Sequence, residues 1–137
     1  VRTGRRLRGS IVLGVLIVIL MWWTGGSGPF LTTPGATVTS FGELTGMVGG
    51  FLVCIQVLLI ARVPWLERAI GMDHLVAWHR TLGSSVLFLI VTHVIAMIFG
   101  QQLIASQAPW TATFAILTTY PDMLTALIGT LLFFAIG

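Results

Sequence analysis

A chain of 137 residues that is 56% hydrophobic and only 8% charged, with a mean hydropathy of +1.01, is excluded from the water-soluble domains. Its apolar runs are long enough to make it an integral membrane protein. The net charge of +3 and pI near 10.6 would elsewhere suggest nucleic acid. Here the basic residues, all Arg, sit at the ends of apolar runs, where topology explains them and no nucleic-acid partner is implied. The one cysteine, Cys54, excludes an internal disulfide and a Cys-rich metal site, and the chain has no Gly-rich nucleotide fingerprint.

The N-terminal stretch holds Arg2, Arg5, Arg6 and Arg8, followed by an uncharged run from Ile11 to Trp23. A basic start and short apolar core also describe a signal peptide, but no small-x-small cleavage site follows and Trp22-Trp23 suit an interface. We therefore expect a first transmembrane helix over about 9–24. Residues 25–40, rich in Gly, Pro, Thr and Ser, read as a loop. A second helix is expected over about 42–61. In it Gly42, Gly46 and Gly50 recur every fourth position, which suits close helix packing and would also admit a flat cofactor. Gln56 is the single polar residue noted in this helix, and such a residue usually bonds a neighbouring helix.

A short connection over 62–73 carries Arg62, Glu67 and Arg68; Pro64 can open a brief interfacial helix, and Asp73 suits the N-cap of a third helix over about 74–100. An outer loop is expected over 101–121, where the apolar run 111–119 is too short to span as a helix. Asp122 would cap a fourth helix over about 122–137, read as cut short before it crosses. The fold class is thus all-α, an integral membrane protein of four transmembrane helices in one domain, 1–137. Arg2, Arg5, Arg6, Arg8, Arg62, Arg68 and Arg80 then share one side, which the positive-inside rule makes cytoplasmic together with the N-terminus. The localisation expected is the plasma (inner) membrane, multi-pass.

The third helix carries the chemistry. His79 and His93 lie in an otherwise apolar run, and burying an ionisable ring in hydrocarbon is costly, so each marks a candidate site. Their spacing gives about 21 Å of rise and a return to within ~40° of the starting direction. Both rings leave one face, one near each leaflet, too far apart to share a metal ion. Two stacked haems, each taking one axial imidazole, suit that spacing; hydrogen bonding between helices and a proton path are the other readings. Arg80 stands near the positive end of the helix dipole, where either a haem propionate or a lipid phosphate would relieve it. Gly83, one turn beyond His79, leaves room for a ring. For the second nitrogen of His93 the carbonyl of Leu89 is geometrically available. His74 points about 140° away from His79 and is not counted as a ligand.

The run Ala61-Arg62-Val63-Pro64-Trp65-Leu66-Glu67-Arg68, then Gly71-Met72-Asp73-His74-Leu75, Trp78-His79-Arg80-Thr81-Leu82-Gly83 and Thr92-His93, resembles the ferric-reductase-like transmembrane domain of ferric reductases and NADPH oxidases, over about residues 42–137. The resemblance implies two b-type haems held between two helices that each supply two His. His79 and His93 match the first pair, and the second pair is expected on a later helix beyond Gly137. It further implies FAD and NAD(P)H on a partner or missing domain, and electron transfer from that cytoplasmic donor to ferric iron or dioxygen at the outer face. The second ligands would come from the rest of a longer chain, from another subunit, or from a second copy in a homodimer. Two alternatives stand beside it: a scaffold or fragment without haem, and a haem subunit feeding a periplasmic methionine sulfoxide reductase.

Overall fold

The computed structural model describes residues 2–25, 32–106 and 108–136, in which six helices and no strand are found. They are α1 (Arg2–Thr24), α2 (Pro34–Ile60), α3 (Pro64–Ile70), α4 (Met72–Ala105), α5 (Pro109–Thr119) and α6 (Met123–Ile136). Three of them, α1, α2 and α4, are long and apolar enough to cross a membrane. Large apolar side chains such as Leu13, Phe88, Phe114 and Leu131 face outward, while the largest fully buried ones are Leu59, Leu66, Leu75 and Val86. An apolar exterior around so small a core is stable only in lipid, so this is a multi-pass membrane protein.

Several expected boundaries move. The second helix begins at Pro34 rather than near 42, so most of the expected 25–40 loop that is described is helical. Thr33 is extended at φ −133°, its side chain accepts from the Ala36 N–H at 3.2 Å, and Pro34 occupies the first turn. That is an N-cap followed by proline, a start signal that the Gly and Thr content obscured. Residues 26–31 of that loop lie outside the described residues. The first helix likewise starts at Arg2 rather than near 9.

The brief helix opened by Pro64 is present as α3. Asp73, expected as an N-cap, lies within the first turn of α4 instead, because Gly71 ends α3 and starts α4 with φ +87° and ψ 140°. Only glycine adopts that conformation without strain, so the joint falls there. At its other end α4 runs to Ala105, five residues beyond the expected 100, and closes on Ser106 in the left-handed conformation.

The fourth span is also revised. Residues 109–119, read as loop, form α5, and the chain bends by 111° between α5 and α6; by length and apolarity the described residues hold three candidate spans, or four if this bent pair counts as one. Pro109 opens α5, and the turn at Tyr120–Asp122, with Asp122 at φ +67°, separates it from α6.

The largest helix interface joins α2 and α4, which run antiparallel. On α2 the buried residues Gly35, Gly42, Gly49 and Gln56 recur every seven positions, as do Thr45, Leu52 and Leu59. On α4 the same period links His79, Val86, His93 and Gly100, with Val86 and Gly100 buried. A seven-residue repeat keeps one seam of each helix against its neighbour. Small residues let the backbones approach: added side chains at Gly35 and Gly42 would press on Ile104 and on Ala96 and Met97, and one at Gly100 would overlap Thr39. On the outside of α2, α1 is pinned by Trp22 Nε1, which donates to the Ser40 carbonyl at 3.1 Å, and by Phe51 packed over Gly14.

At the arginine-rich end, Leu59, Leu66 and Leu75 form a buried cluster with Leu7, Val63, Ile70 and Trp78 packed around it. It ties α1, α2, α3 and α4 together, and the guanidinium of Arg8 sits 4.8 Å above the Trp78 ring.

Candidate functional site

Both histidines lie in the α2–α4 seam. Their separation of two heptads returns each ring to α2, as the shared-face expectation required. His93 Nδ1 lies 2.7 Å from the carbonyl of Gly42, and His79 Nδ1 lies 3.3 Å from the carbonyl of Gln56. A carbonyl only accepts, so Nδ1 donates in each ring, and in a neutral imidazole that tautomer leaves the lone pair on Nε2. No described residue hydrogen-bonds either Nε2. The acceptor for His93 is therefore on α2 and not the Leu89 carbonyl of its own helix. The reason is packing: a Cβ built at Gly46 would lie 2.5 Å from His93 Nδ1, so the bare backbone there brings the Gly42 carbonyl within reach.

The three glycines of the fourfold repeat divide the two roles weighed for them. Gly42 meets Ala96 and Met97 in the helix seam, Gly46 underlies the His93 ring, and Gly50 has nothing within 4 Å of where a side chain would start. Gly46, Gly50 and His93 line a groove of about 600 Å³, whose other walls include Glu43, Val53, Ile90 and Thr130 of α6. That volume is in the range of small-molecule and cofactor sites. Glu43, a carboxylate within a membrane-spanning helix, went unremarked in the sequence although an acidic residue at that depth is a signal by itself.

Around His79 the arrangement differs. The Gln56 side chain donates through Nε2 to the His79 backbone carbonyl at 3.0 Å, while the Gln56 backbone carbonyl accepts from the His79 ring. Gln56 thus bonds the neighbouring helix as expected, and in doing so grips the histidine residue. Its Oε1 is buried without a partner among the described residues, a cost of roughly 1–3 kcal/mol for a neutral acceptor. A Cβ at Gly83 would lie 3.1 Å from Gln56 Nε2, so the space beside His79 admits this amide. Arg80 is exposed, next to His79 at the arginine-rich end, and His74 is exposed one turn before Trp78.

No group of three or more His, Cys, Asp or Glu able to hold a metal ion occurs among the described residues. Two isolated imidazoles with free Nε2 atoms instead suit a cofactor that brings its own equatorial donors and needs one axial ligand per side from this helix. The family model "Ferric reductase like transmembrane component" matches residues 45–137. The chain belongs to the ferric-reductase-like transmembrane family. The match begins within α2, so both histidines, Gln56, Gly83 and the glycines lining the groove fall inside it and α1 falls outside. Neither a curated protein nor a solved structure gives a significant match.

Proposed function

We propose that this chain is the membrane part of an electron-transfer protein of the ferric reductase type, in which His79 and His93 each serve as one axial ligand of a b-type haem. The observation that carries the reading is the pair of Nδ1–H···O=C bonds to α2, which leaves both Nε2 atoms free for iron at two levels of one continuous helix. Bound there, haem would supply reversible one-electron chemistry at two depths in the bilayer.

The chain's own residues do the rest. The α2 carbonyls fix each imidazole in one tautomer and increase its basicity as a ligand. Gly46 and Gly50 keep the groove beside His93 open. Arg80, beside His79, is placed to meet an anionic edge such as a propionate. The second imidazole of each pair comes from a further helix, another subunit or a second copy of the chain.

Arg5, Arg6, Arg8, Arg62, Arg68 and Arg80 all belong to the end built by the start of α1, by α3 and by the start of α4. By the positive-inside rule that end faces the cytoplasm, with the plasma (inner) membrane as the site of residence. The donor on that side is then a flavin and NAD(P)H module, and the acceptor on the His93 side is ferric iron or dioxygen.

The test is a reduced-minus-oxidised visible spectrum of the purified full-length protein beside His79→Ala and His93→Ala. A b-type α-band that falls in two steps supports the reading. A wild-type protein that is folded yet colourless when isolated from native membranes together with its associated subunits overturns it.

A further inference from the structure

We propose that Gln56 is the positioning residue for the His79 ligand, and that it makes the two histidine sites chemically unequal. The inference rests on the reading of His79 and His93 as axial ligands, and it concerns how one of them is held.

His93 is held by a single short bond, 2.7 Å to the Gly42 carbonyl, over a backbone bared by Gly46. His79 has a longer bond, 3.3 Å to the Gln56 carbonyl, at the edge of hydrogen-bond range. Small shifts of α4 against α2 would break it. The Gln56 side chain prevents that shift by donating to the His79 carbonyl at 3.0 Å, so backbone and side chain of one residue grip backbone and side chain of the other. Gln56 is only 5% exposed, and the orientation of its amide is determined by that donation. Gly83 gives it the room, since a Cβ there would stand 3.1 Å from Nε2. A residue serving only to glue helices would turn both amide ends to partners; Gln56 leaves Oε1 without one among the described residues.

Loss of the clamp releases the His79 Nδ1–H bond, makes that imidazole a weaker donor to iron, and destabilises the oxidised state at that site alone.

Two measurements on the full-length protein test this. The first needs no haem: ¹⁵N NMR of histidine side chains in haem-free protein. Wild type should show His79 as the Nδ1–H tautomer, and Gln56→Leu should turn it into a mixture while leaving His93 unchanged. Gly83→Ala, which crowds the amide without removing it, should move His79 the same way by less. The second is a spectroelectrochemical titration of the loaded protein, in which Gln56→Leu should raise one of the two midpoint potentials and leave the other. Unchanged His79 tautomer in both variants, or equal shifts at both sites, would overturn the proposal. If wild type takes up no haem, the function proposed above fails, and the NMR measurement still decides the role of Gln56.

Discussion

At the scale of the residue, the chemistry depends on where backbone is left bare. Gly46→Ala would place a methyl group against the His93 ring. The ring must leave the Gly42 carbonyl or α2 must shift, at a cost of about 1–3 kcal/mol. On the proposed haem reading, the variant should retain about half the wild-type haem by pyridine haemochrome assay, with the loss at the His93 site. Gly50 is the control, since nothing lies within 4 Å of its missing side chain. Gly50→Leu should leave the melting temperature of the haem-free protein nearly unchanged yet lower haem content by filling the groove. Glu43, on the same groove, places a carboxylate beside the site where negative charge would arrive. On the proposed haem reading, Glu43→Gln, which can only take negative charge away from the groove, should favour the reduced state and raise the His93-side midpoint potential by on the order of tens of mV, measured by redox titration.

At the scale of the element, α4 is the member that matters, and its start depends on one conformation. Gly71 at φ +87° separates α3 from α4 and so determines where the helix that carries both histidines begins. Open space surrounds it, so Gly71→Ala meets no clash, only backbone strain of roughly 1–3 kcal/mol. The expected outcome is a lowered melting temperature in detergent with the haem content proposed for the wild type retained, since the α2–α4 seam lies away from the joint. The seam itself follows from composition. Small residues at seven-residue spacing on α2 let it approach α4 closely, and Gly46 lets the Gly42 carbonyl reach the His93 ring.

At the scale of the whole molecule, charge and burial point to the same arrangement. One end gathers the arginines around the Leu59, Leu66 and Leu75 cluster, and the opposite end, where α4 gives way to α5, has no Lys or Arg. In a Cys54→Ser background, a membrane-impermeant maleimide applied to intact spheroplasts should label Ser106→Cys and not Glu67→Cys; both positions are exposed. The reverse pattern would invert the direction proposed for electron transfer.

The sequence by itself determined the membrane class, the existence of α1, α2 and α4, the shared face of His79 and His93, and the family. All of these follow from composition, from apolar runs longer than a bilayer is thick, and from the period of the helix. Helix starts at Pro34 and Met72 were less legible, because a Thr-Pro start inside a Gly-rich stretch and a glycine joint are weak local signals against composition. Only the tertiary structure decided which carbonyls meet the two rings, that Gln56 holds His79, and that α5 and α6 form a bent pair. These depend on the register of one helix against another. That register is set by the summed packing of many small contacts along the seam, which no single stretch of sequence contains.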